Sequence, residues 1–212
     1  MATWLTHLRV AERVADQINI SDRSLFFAGS IAPDSDMFSD ISHWCANGDK
    51  TTCDVQRFFI NYISDSLHAE DKDFYWGCYI HLLVDILWHE QKIVPLKHES
   101  KDNIRATKQK WKTADISFLS DNRNFKPLTE MKYALEYTSK YDKQLLDYYT
   151  AGQIKKLVGG ILSNLDIAGA AIQSRNAIME TEIEQFINEC EEFIALKLKE
   201  VRNEEFTIHM RP

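Results

Sequence analysis

His81, Asp85 and His89 stand four residues apart within Tyr75–Gln91, YWGCYIHLLVDILWHEQ, where almost every other side chain through Trp88 is apolar or aromatic. At about 100° per residue the three fall within roughly 80° of one another, on one helical face. Apolar residues all round the helix predict that it is buried on every side. Burying a carboxylate and two imidazoles is costly unless each finds a partner, and a metal ion suits all three. The competing account is a core histidine or two hydrogen-bonded to one carboxylate.

Three more donors lie at suggestive places. His7 heads the stripe His7, Ala11, Val14, Ile18 of a first helix and should point inward. Asp34 follows Ala32-Pro33, where the residue before proline is pushed out of helix, so it lies at a turn after a buried segment. His43 sits in a polar loop. Singly, each has an ordinary explanation: a satisfied core histidine, a turn residue, a solvated loop histidine. Together with the central helix they make six nitrogen and oxygen donors, enough for two divalent ions.

The elements that must position these residues read as helices. The pattern predicts helices over 3–18, opened by Thr3 or Thr6, over 54–67, and over 74–94, the last stopping near Pro95. Asn47-Gly48-Asp49 marks a turn. Residues 97–126 read as mixed, with a basic helical piece at Arg105–Lys112 and a loop at Ser120–Lys126. A helix begins near Pro127, two short ones or one bent at Gly159-Gly160 span 152–176, and a last helix covers 180–201. No strand, repeat or linker stands out. The expectation is an all-α fold in a single domain over 1–212, with the metal-site half about 1–95 and a helical half 96–212.

Composition narrows the class. Only 7 Gly and 4 Pro argue against a turn-rich β sandwich. A net charge of −7 gives no general attraction to phosphate polymers, so nucleic acid is not an expected partner. Arg9, Glu12, Arg13 and Asp16 interrupt any secretory h-region, and no apolar run reaches membrane-spanning length. Cys45 and Cys53 could bridge, but the expectation is a cytoplasmic chain with reduced cysteines.

The order of these residues resembles a known family. Thr6-His7 comes first, then Ala32-Pro33-Asp34, then Ser42-His43-Trp44 before Arg57-Phe58, and then Gly77-x-x-x-His81-x-x-x-Asp85. Over roughly residues 4–92 this resembles the zinc-dependent phospholipase C family, whose all-helical fold is shared with fungal single-strand nucleases. The resemblance implies a buried zinc centre that hydrolyses phosphoesters. Asp34, His43, His81 and Asp85 would hold one metal, Asp85 would bridge toward a second held by His7, and His89 would match the first ligand of a further one. Departures from the pattern reduce the expected count to one or two ions, zinc first, with iron or manganese as alternatives. The family begins with a tryptophan whose terminal amine and carbonyl bind metal, whereas Trp4 is internal. The later His and carboxylate pair of the family is missing, only His98 and His209 remaining, and the step from Asp85 to His89 is shorter than in the family.

Metal held by imidazoles and carboxylates acidifies water and polarises phosphoryl oxygen. Asp34 is the candidate catalytic residue, orienting or deprotonating the attacking water. The expected substrate is a phosphoester small molecule or phospholipid head group. Alternatives are a nucleotide-directed helical phosphohydrolase, a non-catalytic protein with a structural metal, and a purely structural helical protein. Glu90 points about 100° away from His89, and His68 reads as surface. The run Lys97, Lys101, Arg105, Lys108, Lys110, Lys112 reads as a solvated face, and Trp44, Trp76 and Trp88 as core. No nucleophile elbow, glycine-rich phosphate loop or His-Asp dipeptide is present.

Overall fold

The computed structural model describes residues 2–36, 40–64, 70–168 and 177–209, with only the backbone for 36, 165–168, 177 and 202–209. His68, the predicted helix end at Leu67 and the stretch 169–176 lie outside it, as does the side chain of His209. The described residues form eight α-helices and no strand, an all-α fold. They are α1 (Trp4–Val14), α2 (Arg23–Gly29), α3 (Val55–Phe59), α4 (Lys72–Trp88), α5 (Lys101–Asp121), α6 (Lys126–Tyr137), α7 (Gln153–Ala168) and α8 (Ala177–His209). No described helix is long and apolar enough to cross a membrane.

The central helix α4 is buried on nearly every side, from Phe74 through Trp88, with α1, α2, α3 and α8 packed around it. Its contact with α2 is the tightest in the fold. A Cβ added at Gly77 would lie 2.1 Å from the Phe26 carbonyl oxygen and 2.7 Å from the Ser30 nitrogen. One at Gly29 would lie 2.0 Å from the carbonyl oxygen of Phe74. Only two facing glycines let these backbones meet. His81 stands one turn past Gly77 on the same face, so this contact brings the end of α2 to its imidazole.

The Thr3 side chain accepts from Thr6 N–H and caps α1, fixing where the helix starts and hence that His7 faces inward. The predicted helix over 54–67 is α3 followed by a π segment, Ile60–Ser64. Past Trp88 the central helix widens into a π segment, His89–Ile93, and then a 3-10 segment, Val94–His98, around Pro95.

Two elements differ from the sequence reading. Residues 101–121 form one continuous helix rather than a short basic piece, and the predicted loop is confined to 122–125. Ser100 caps it, and its only buried residues are Trp111, Ala114, Asp115 and Ser117, so the inward stripe is too sparse to reveal the helix. The six basic residues read as a solvated face are all exposed. Helix α7 runs unbroken through Gly159-Gly160. Gly160 faces open space and nothing packs closer than 3.9 Å to an added Cβ at Gly159, so no neighbour forces a bend.

Asp115 is buried on α5 beside the Thr3 side chain and Arg9. Burial pushes its carboxyl up to about 7, against the opposing pull of Thr3 and Arg9. The folded chain therefore keeps a proton there that the unfolded chain releases above the ordinary value of 3.8. This contribution to stability is fully present below that value and is lost as pH rises toward about 7. Asp115→Asn should remove that component, so the variant gains on wild type in melting temperature between pH 5 and pH 8, both followed by circular dichroism.

Gly77→Ala should destabilise by about 3 kcal/mol or more, because backbone must move to admit the methyl group. Gly160→Ala, with the same change of atoms in open space, should stabilise by about 0.5–1 kcal/mol. Urea unfolding of the two variants beside wild type tests the contrast.

Candidate metal centre

Five of the six predicted donors converge. His7 comes from α1, Asp34 from the 3-10 turn Ala32–Asp36, His43 from the loop after it, and His81 and Asp85 from α4. His7 Nε2 lies 3.5 Å from Asp85 Oδ1, while His43 Nε2 and His81 Nε2 each lie 3.6 Å from Asp85 Oδ2. Asp34 Oδ1 is 3.3 Å from His43 Nε2 and 3.9 Å from His81 Nε2. The rings of His7 and His81 stack at 3.8 Å, tilted by 11°.

Most of these separations are long for hydrogen bonds. They are close to the edge of a tetrahedron built on metal–ligand bonds of about 2.0–2.1 Å, which is about 3.4 Å. His7 Nδ1 and Nε2, His81 Nε2 and Asp85 Oδ2 are buried with no hydrogen-bond partner. Buried polar atoms are nearly always satisfied, so these lone pairs call for a cation. Two overlapping groups, His7 with Asp34 and His81, and His43 with His81 and Asp85, bring their donor atoms within 4.8 Å of one another. The donor chemistry, imidazole nitrogen and carboxylate oxygen, fits zinc.

The surroundings aim the donors. His81 Nδ1–H donates to the Ser30 carbonyl at 2.8 Å, which leaves its Nε2 lone pair facing the other four. His43 Nδ1 lies 3.1 Å from Ser42 Oγ. Trp44, next in chain, takes a left-handed φ of 53° that a side chain of its size adopts at a cost. It is held there by donation from Nε1 to Tyr148 Oη at 3.1 Å and by edge contacts with Phe58 and Tyr62.

Burial alone would raise the Asp85 carboxyl, but the facing imidazoles of His7 and His81 overcome it and hold it well below the ordinary carboxylate range. Burial also acts to raise Asp34, and the contact with His43 and the charges of His81 and His7 prevail and lower it. Both carboxyls are thus ionised at neutral pH, the form a metal needs.

His89 is not brought into this group. It lies two turns beyond His81, about 12 Å along the axis, and its Nε2 faces Asp49 Oδ1 at 3.6 Å. Burial lowers its pKa, with Asp49 acting the other way. His98 is exposed. Sequence reasoning missed two main-chain contributors, the Ser30 carbonyl and the Ala2 N–H, which donates to Asp85 Oδ1 across 3.4 Å. The only available signal for Ala2 was the Thr3 cap, which sets residue 2 just ahead of a helix whose His7 faces inward.

The family model for zinc dependent phospholipase C matches residues 6–204. The chain belongs to the zinc-dependent phospholipase C family. The match runs far past the stretch over which the sequence motifs carry the resemblance, through α5, α6 and α7 and into α8. No curated protein and no solved structure matches the chain. Membership implies zinc as the metal, in agreement with the donor set.

Protein purified without chelator or nickel resin should carry one to two zinc ions per chain by elemental analysis, and chelator should lower its melting temperature. His81→Ala should lose metal and destabilise by about 1–3 kcal/mol through the partners it leaves unpaired, whereas His98→Ala should match wild type. Full metal content in His81→Ala would exclude that residue as a ligand.

Proposed function

We propose that this chain is a zinc-dependent phosphoester hydrolase acting on a phospholipid head group or another small phosphoester. The observation that carries the reading is the convergence of five donors, three of them (His7, His81 and Asp85) with buried polar atoms that lack a hydrogen-bond partner, and one alone reaching solvent. The side chains of His7, His43, His81 and Asp85 are fully buried, while that of Asp34 is 13 % exposed. A substrate therefore meets the site at Asp34.

In this reading His43, His81, Asp34 and Asp85 hold one ion, and His7 with Asp85 holds a second. Bound zinc would supply Lewis acidity toward a phosphoryl oxygen and lower the pKa of water. The protein's own groups do the rest. His81 is locked in the tautomer that offers Nε2 by the Ser30 carbonyl. Asp85 stays ionised between three imidazoles and fixes their separation. Asp34, ionised and at the solvent edge, accepts a hydrogen bond from the attacking water and orients it toward phosphorus. Its lowered pKa suits orientation better than full proton abstraction. The negative charge of the chain disfavours a polyanionic nucleic acid and leaves small phosphoesters as the better substrates.

A second reading, a structural metal, draws on the complete burial of four of the five donors, since a closed shell keeps no position for substrate. Turnover separates the two. Zinc-loaded protein should hydrolyse chromogenic phosphodiester or phosphomonoester reporters, and chelator should abolish the activity. Asp34→Asn should reduce kcat by about 10²-fold or more while keeping the fold. No turnover by fully loaded protein on lipid, nucleotide and reporter substrates would favour the structural metal, and undiminished turnover in Asp34→Asn would remove that carboxylate from the chemistry.

A further inference from the structure

Cys45 and Cys53 flank the loop that follows His43. At its tip, Asn47 and Gly48 take φ of 53° and 71° in a left-handed turn closed by Asp49 N–H on the Ala46 carbonyl at 3.0 Å. Below the tip, Asp54 N–H donates to the Trp44 carbonyl at 2.8 Å, and Ala46 N–H donates to Thr52 Oγ1 at 2.9 Å. Cys45 and Cys53 lie opposite each other between these two bonds. The chain neighbours of this pair are thus tied across the loop, around the 3-10 turn Lys50–Thr52. A disulfide spans Cα atoms about 4.4–6.8 Å apart, a separation that two such cross-loop bonds permit.

The thiols themselves agree with that placement. Both are free and partly exposed, and burial first, then the neighbouring Cys45, pushes the Cys53 thiol up. Cys45 Sγ also donates to Asp40 Oδ1 and accepts from the buried Lys50 Nζ, each at 3.7 Å. Cys78 and Cys190 are buried, without such a pairing.

We propose that Cys45 and Cys53 form a reversible redox site, closed to an intramolecular disulfide by a small-molecule disulfide such as oxidised glutathione. Cys45 Sγ attacks one sulfur of the reagent and expels one small thiol, leaving a mixed disulfide. Cys53 Sγ then attacks the Cys45 sulfur and expels the second. Two protein S–H bonds break and one protein S–S bond forms, while the reagent's S–S bond is reduced to two thiols that carry away both electrons and both protons. The bond closes the loop bearing Asp49, whose base is the neighbour of His43. It restrains the unfolded chain and ties the loop down in the folded one.

The test uses the full chain equilibrated against oxidised glutathione, then alkylated and mapped by mass spectrometry. Two of the four thiols should be lost, with one linked peptide pair joining Cys45 to Cys53 and alkylated Cys78 and Cys190. The melting temperature should rise on oxidation and fall back with dithiothreitol. Cys53→Ser should stop at the mixed disulfide on Cys45 with no such rise. Alkylated Cys45 and Cys53 after oxidation, a bridge only between chains, or a bridged protein with an unraised melting temperature would each overturn the proposal. The mapping needs no metal, so a chain that bridges these cysteines but binds no zinc would speak against the metal centre alone.

Discussion

The contact between the backbones of α2 and α4 at Gly29 and Gly77 is the constraint from which the rest of the site follows. With any side chain at either position a methyl group would sit about 2 Å from a carbonyl oxygen. Without one, the helices approach until the last turn of α2 lies beside His81. The Ser30 carbonyl then takes the Nδ1 proton, and the imidazole presents its other nitrogen to Asp85 and Asp34. The chain runs from residue choice, to interhelical distance, to tautomer, to donor geometry.

The same approach sets an energetic problem. Four side chains able to carry charge are wholly removed from water in the middle of an aromatic core. Mutual contacts at 3.5–3.6 Å around Asp85 relieve only part of the cost. A dication would relieve the rest, since it would satisfy lone pairs that the protein leaves without a hydrogen bond, and folding and metal loading would then be coupled. An apo chain would keep the apolar packing of α4 but would leave its polar centre uncompensated.

Legibility tracked the physical origin of each feature. The all-round apolar run Tyr75–Trp88, the stripe under His7 and the break at Pro33 are side-chain signals, and the all-α fold and the convergence of five donors follow from them. His89 was grouped with His81 by angle alone, but angular agreement on a helix says nothing about the axial rise that carries it away toward Asp49. The Ser30 carbonyl and the Ala2 N–H are main-chain groups and have no signature in residue type. Helix α5 hid because four buried residues in a long polar helix make a weak stripe, and Gly159-Gly160 suggested a bend that nothing in the packing requires. Gly77 was visible as part of a motif, yet its purpose needed its partner at position 29.

The second half of the chain supplies none of the five donors, and yet the family match runs through it to residue 204. Its tyrosines act on the site all the same. Tyr149 Oη donates to the Ala32 carbonyl at 2.7 Å, two residues before Asp34, and Gln153 Nε2 donates to Ser35 Oγ at 2.9 Å, one residue after it. Tyr148 Oη accepts from Trp44, the neighbour of His43, and Tyr141 Oη donates to the Ser24 carbonyl in α2 at 2.9 Å. His81 and Asp85 ride on a buried helix and need little further support. Asp34 and His43 stand on a turn and a loop, which on their own would be the mobile parts of the site. Residues 148–153 hold the Ala32 carbonyl and the Ser35 side chain on either side of Asp34, and the Trp44 side chain next to His43. Residues 141–153 are therefore a scaffold for Asp34 and His43, the two candidate donors that stand outside the helices.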